Sequence, residues 1–125
     1  YLRKSGDLPG ARRELEAALD LDPRNTEILN NLGGLALMGG DIEHARSYYQ
    51  HAVETQPRNA EAQFNLATVC ERLGRWQEAL EHYERFVSLN PPGLEEVVVR
   101  TRERIAWLNQ REFGAPAGPI SAGPR

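Results

Sequence analysis

Histidines, cysteines, paired carboxylates and glycine-rich turns carry most site chemistry, and this chain is sparing with them. His44 and His51 stand seven residues apart, which puts them on one helix face but two turns apart, whereas helical zinc ligands sit one turn apart at i and i+4. No third ligand has diagnostic spacing, so both read as surface histidines and no metal is expected. Cys70 is the one cysteine; it falls at a core-like place and reads as a small buried hydrophobe rather than a reactive thiol. Alone it forms neither an intrachain disulfide nor a cysteine-rich zinc site. The many Asp and Glu residues fall on helix surfaces and first turns, where solvation and the helix dipole account for them without acid–base catalysis.

Gly33-Gly34 lies inside a helix, and Gly39-Gly40 sits in a turn without the lysine of a phosphate-binding loop. The stripe Arg100, Arg104, Trp107 and Arg111 combines cations with an aromatic ring, a mixture able to grip phosphates and bases. Glu95, Glu96 and Glu103 dilute its charge, and 15 Lys+Arg against 18 Asp+Glu give the chain a net charge of −3. A solvated helix with an aromatic anchor is the better reading. No catalytic constellation, cofactor or nucleic-acid partner is expected, and the chain reads as no enzyme.

The elements that hold these residues follow from a repeat. The chain has 125 residues, 40% hydrophobic and 26% charged, which suits one folded unit or a short repeat array. No apolar run approaches the roughly 18 to 20 residues of a membrane-spanning helix, and Tyr1-Leu2-Arg3-Lys4 leads into no signal-peptide core. A soluble chain with no membrane partner is expected; the compartment is open, with the cytoplasm preferred. Pro23, Pro57 and Pro91 are spaced by 34 residues, as are Gly6, Gly40 and Gly74, and Ala11, Ala45 and Ala79. Leu32 with Leu66, Asn31 with Asn65, Tyr49 with Tyr83, and Glu27, Glu61 and Glu95 keep the same interval.

Each period holds two helical patterns. Ile28, Leu32, Leu35 and Ala36 recur at helical spacing before Gly39-Gly40-Asp41 breaks the chain, and Phe64, Leu66, Val69, Cys70 and Leu73 precede Gly74 in the same way. Ile42, Ala45, Tyr49, Ala52 and Val53 mark a second helix, matched by Trp76, Ala79, Leu80, Tyr83, Phe86 and Val87. Pro57 and Pro91 then stop it, because proline lacks the N–H and crowds the preceding turn. The unit is a helical hairpin.

On these residues the chain resembles the tetratricopeptide repeat family. Leu32-Gly33, Gly40, Ala45, Tyr49, Ala52 and Pro57 match the family pattern in one repeat, and Leu66-Ala67, Gly74, Ala79, Tyr83 and Pro91 in the next, with Phe86 replacing the usual small residue. The resemblance implies an all-α fold, a right-handed α-solenoid of antiparallel helical hairpins with a C-terminal capping helix. The expected organisation is a partial repeat over 1–25, full repeats over 26–59 and 60–93, a capping helix over 94–112, and a Gly/Pro/Ala-rich tail over 113–125. Small residues at Gly33, Ala67, Ala11, Ala45 and Ala79 allow close helix approach, with Leu32 and Leu66 filling the core beside them.

In this family the first helices of successive hairpins line a concave groove. The resemblance therefore implies a peptide-binding surface containing Glu27, Asn31, Gly34 and Met38, then Glu61, Asn65, Thr68 and Arg72, then Glu95, Val99 and Arg102. A primary amide both donates and accepts, so Asn31 and Asn65 suit a peptide backbone whatever its sequence. This resembles the asparagine ladder in the repeat arm of O-linked N-acetylglucosamine transferase. Gly34 gives room for close approach and Met38 an adaptable apolar contact. The rival reading makes asparagine and glutamate ordinary family choices in a groove left unused or filled by another copy. The basic clamp that holds acidic chaperone tails is not reproduced, since Asn30, Gly34, Glu61 and Asn65 supply no cationic pair.

The leading helix, around Pro9 to Leu21, is expected to expose Leu8, Leu15 and Leu19 where a partner helix normally lies. In the last helix, Leu94, Val97, Val98, Thr101, Ile105 and Leu108 form an arc for packing, while Arg100 and Arg104 solvate the surface where a further helix would dock. The leading functional expectation is a protein-interaction module or scaffold that binds an extended peptide segment. The alternatives are a C-terminal appendage of an upstream enzyme, or a self-assembly module acting through the incomplete N-terminal repeat to give a homo-oligomer.

Overall fold

A computed structural model describes residues 8–112 of the chain, with side chains from 9 to 110. The expectations for residues 1–7 and the tail at 113–125, and for the side chains of Leu8 and Arg111, lie outside the described residues. Six helices follow one another: α1 (Leu8–Leu21), α2 (Thr26–Met38), α3 (Ile42–Thr55), α4 (Ala60–Arg72), α5 (Trp76–Leu89) and α6 (Glu95–Glu112). No strand occurs among the described residues. No described helix is long and apolar enough to cross a membrane.

Local chemistry sets where the helices begin and end. Asn25, Asp41 and Asn59 precede α2, α3 and α4, and their side-chain oxygens accept from the backbone N–H groups of Ile28, His44 and Ala62 at 3.1, 3.3 and 2.9 Å. These donors have no partner inside the helix, so the caps favour starting there. Each hairpin turn closes in one way: the N–H of Asp41 bonds the carbonyl of Ala36 at 2.8 Å and that of Gly40 bonds Leu37 at 3.0 Å, repeated by Arg75 on Cys70 and Gly74 on Glu71. This left-handed stop requires positive φ at its penultimate residue. Gly40 and Gly74 supply it, at +82° and +78°.

Packing is sequential. Each helix lies against the next, and α2 also touches α4 across the intervening α3, so hairpins stack side by side into a right-handed α-solenoid. Leu29, Leu32, Ala45, Ala52, Ala62, Leu66, Ala67 and Ala79 are fully buried where the helices meet. At Gly33 the fit is closest: a Cβ built there would stand 2.4 Å from Cε1 of Tyr49 and 2.6 Å from Cζ, so the buried Tyr49 ring lies directly on the α2 backbone. Between hairpins, the hydroxyl of Thr26 donates to Oε1 of Gln56 at 2.9 Å, and Nδ2 of Asn59 donates to the same oxygen at 3.2 Å.

A buried pair joins α4 to α5. Nε2 of Gln63 donates to the carbonyl of Pro57 at 2.9 Å, which leaves its Oε1 as acceptor for Nδ1 of His82 at 2.8 Å. The His82 proton therefore sits on Nδ1. Burial first, then the charge of Arg85, lowers the His82 pKa, which keeps the ring neutral near pH 7.

The two ends differ from the sequence reading in detail. Leu15 and Leu19 are half-buried rather than exposed, because α1 lies on α2 and Leu19 packs against the core; Leu21 is the exposed one, at 89%. In α6, Val98, Thr101 and Leu108 are buried and Ile105 packs on the core, but Leu94 is 40% exposed, since it stands before the first turn. Arg104 does not simply solvate the end. It forms an ion pair with Glu71 on α4, a carboxylate that also accepts from the Tyr83 hydroxyl at 2.8 Å, and its guanidinium lies 4.4 Å from the Trp107 ring centroid.

Candidate binding groove

The first helices of the hairpins present a groove of about 590 Å³. Its walls are Asn30, Asn31, Gly34, Leu35 and Met38 from α2, Glu61 and Asn65 from α4, and Ala11, Glu14 and Leu15 from α1, with Tyr49 of α3 at the floor. Helical spacing puts residues one turn apart on one face: Asn31, Gly34 and Met38 line up along α2, and Glu61 and Asn65 along α4. Five of the sequence-derived site residues, Asn31, Gly34, Met38, Glu61 and Asn65, therefore meet in one place. Asn31, Met38 and Glu61 are exposed and Asn65 is half-buried.

The six others lie outside this groove. Glu27 and Arg72 are exposed on the first turn of α2 and the end of α4, and Glu95, Val99 and Arg102 are exposed along α6. Thr68 is half-buried, and its hydroxyl donates to the carbonyl of Phe64 at 2.6 Å, a bond within its own helix that occupies its proton.

Gly34 owes its place to the geometry of Tyr49. A Cβ at Gly34 would stand 3.8 Å from the Tyr49 hydroxyl oxygen, an ordinary contact, so the backbone here is bare toward the groove without being crowded. Burial, then the charge of Glu61, raises the Tyr49 pKa, which keeps the phenol protonated.

The sequence reading did not place Ala11, Glu14, Leu15, Leu35 or Tyr49 in the groove, and it weighed Asn30 only as a clamp position without a cation. The signal for Asn30 was available: thirty-four residues on, the equivalent position holds Phe64, whose ring packs 5.9 Å from Tyr83 and 5.1 Å from Phe86 by centroid. Asn30 stands where Phe64 stands in the next hairpin, so the large ring found there is absent from the lining of this groove. A second hollow of about 430 Å³ lies between α4, α5 and α6, lined by Phe64, Tyr83, Val97, Arg100, Thr101 and Arg104.

Other residues singled out for chemistry are accounted for structurally. His44 pairs with Asp41 of its own helix start, Nδ1 to Oδ2 at 2.5 Å, and His51 is exposed. Among the described residues no cluster of His, Cys, Asp and Glu could hold a metal ion. Arg100 pairs with Glu96 at 3.1 Å. Cys70 is 1% exposed, and burial, then the charge of Glu78, pushes its pKa from 9.0 up to about 11. The thiolate is the reacting species, so folded protein at pH 7.5 should take up thiol reagents only as fast as it opens. Adding denaturant should bring labelling to that of a free cysteine within the unfolding transition, which Ellman's reagent follows directly.

The tetratricopeptide repeat profile matches residues 1–57 and 39–93, and the chain belongs to that family. No curated protein matches the sequence. Among solved structures, the type III secretion translocator chaperone SycD of Yersinia enterocolitica superposes with a TM-score of 0.78 at 18% identity, covering 87% of this chain and 77% of that one. MamA gives a TM-score of 0.72 at 25% identity, with 83% and 58% covered. The first repeat domain of Spaghetti (RPAP3), solved with the HSP90 peptide SRMEEVD, gives 0.70 at 22%, with 82% and 79% covered.

Proposed function

We propose that this chain is a non-enzymatic interaction module that holds an extended peptide segment in the groove between α1, α2 and α4. The observation that carries it is the placement of Asn31 on α2 and Asn65 on α4 in the lining of one groove, with the bare backbone of Gly34 on α2. Each amide can donate to a carbonyl and accept from an N–H of a strand laid across the groove. A peptide backbone carries that pattern regardless of its side chains, while Met38, Leu15 and Leu35 supply apolar contact. Similar folds are known with peptides bound, SycD with a segment of the translocator YopD and Spaghetti with the HSP90 peptide.

The test is Asn31→Ala combined with Asn65→Ala. Asn31 is exposed and Asn65 half-buried, neither in a bond within the fold that the helices need, so the melting transition should move little. Peptide affinity, read by fluorescence anisotropy on peptides selected against the chain, should fall by about tenfold or more, the loss of two to four hydrogen bonds of roughly 0.5 to 1.5 kcal/mol each. Unchanged affinity would take both residues out of the role.

A further inference from the structure

The groove's amides both donate and accept, but its charged groups only accept. Among the described residues, Glu14 and Glu61 are its only charged walls, both are exposed, and no ion pair engages either. Between α1 and α4 stands Asn30, only 6% exposed, and its Oδ1 has no hydrogen-bond partner in the fold. A buried acceptor left without a donor costs stability, and the replacement this sequence itself uses one repeat later, Phe64, avoids that cost by packing on Tyr83 and Phe86. At position 30 the chain instead keeps an unsatisfied oxygen in the wall of a groove that also carries two carboxylates.

We propose that the groove selects a segment carrying an arginine or lysine, whose cationic head lies between Glu14 and Glu61 and gives an N–H to Oδ1 of Asn30, with its aliphatic stem along Leu15 and Met38. This rests on the peptide-binding reading above and names the chemistry of the partner. A guanidinium or ammonium meets all three acceptors with donors and offers them no competing acceptor. A long stem ending in a charge also suits a groove with apolar walls at its base and carboxylates at its rim. An acidic segment is disfavoured twice, by repulsion from two carboxylates and by bringing further acceptors to the orphaned oxygen. The groove thus has the opposite sign to one that takes a tail such as the Glu-Glu-Val-Asp end of the peptide seated on Spaghetti.

The experiment selects a display library of random dodecapeptides on the whole chain and on its Glu14→Gln, Glu61→Gln variant. Peptides recovered on the unaltered chain should share an arginine or lysine next to apolar residues, and those from the variant should not. Replacing that cation by glutamine in a recovered peptide should weaken anisotropy-measured binding by about five- to tenfold on the unaltered chain and leave it unchanged on the variant. Asn30→Leu, which removes the acceptor while keeping the volume, should reduce affinity for the arginine peptide more than for its glutamine version. Recovered peptides without a common cation, or equal affinity for both versions, would overturn this inference and leave the peptide groove standing. Failure to recover any peptide that competes for the groove would overturn both.

Discussion

Leu66→Ala should lower the stability of the array by about 2 to 5 kcal/mol, among the largest losses expected from a single truncation here. Leu66 is completely buried, and α4, which carries it, is the helix that touches α2, α3 and α5. A cavity opened there cannot collapse easily, because neighbours on three sides are held by their own caps and turns. In stacked repeats stability is a sum of unit and interface terms, and α4 meets both the preceding hairpin and its own partner helix. Since folded domains hold only about 5 to 15 kcal/mol in total, the variant should sit close to its unfolding threshold at 37 °C. Urea titration followed by circular dichroism measures the effect. A cost below about 1 kcal/mol would place Leu66 at a yielding surface rather than in the core.

Gly33→Ala and Gly34→Ala should move stability in opposite directions although they add the same methyl group to adjacent residues. In a helix interior, glycine is less favourable than alanine by about 0.8 to 1.0 kcal/mol. Gly34 has room for the methyl, 3.8 Å from the Tyr49 oxygen, so its replacement should stabilise by nearly that amount. Gly33 does not: the new Cβ would overlap the ring of Tyr49, which is 3% exposed and walled in by the core. The ring must move with the helix, and overpacking of this kind costs about 1 to 3 kcal/mol. Paired thermal melts should therefore separate the two variants by several degrees around the parent. Extending the side chain to Gly34→Leu should keep the fold and project into the groove, abolishing peptide binding. Equal melting shifts for the two alanine variants would contradict the placement of Tyr49.

The repeat made most of the fold legible. Proline, glycine and alanine on one 34-residue interval announce a helical hairpin because each has a backbone or packing reason to recur, and Gly40 and Gly74 do occupy the left-handed turn positions. Asn31 and Asn65 could be put in one groove for the same reason: equivalent positions in stacked units face the same way. What the interval hides is any place where one repeat departs from the next. Asn30 was weighed only as a clamp position without a cation, because the groove was traced through matched residues, whereas its importance lies in its mismatch with Phe64. Glu14 was missed because α1 was read chiefly as a helix lacking its partner, not as a wall.

Arg104 shows a different limit. Its equivalents, Ala36 and Cys70, are buried against a second helix, so an arginine there reads as a residue turned to solvent. A long side chain can instead bend to a charge on another element, and Glu71, already accepting from Tyr83, provides one. Spacing along a chain gives directions, not the reach of a flexible side chain across the fold.

The central claim is an open groove whose amides receive a peptide, and side-chain amide NMR tests it most directly. With the chain labelled with nitrogen-15 and a selected arginine-containing peptide added, the account predicts that the NH₂ signals of Asn30, Asn31 and Asn65 shift together with the backbone signals of Gly34 and Glu61, while those of Gln50 and Gln77 on α3 and α5 stay in place. Shifts confined to α3 and α5, with the three asparagine amides unmoved at saturation, would contradict it.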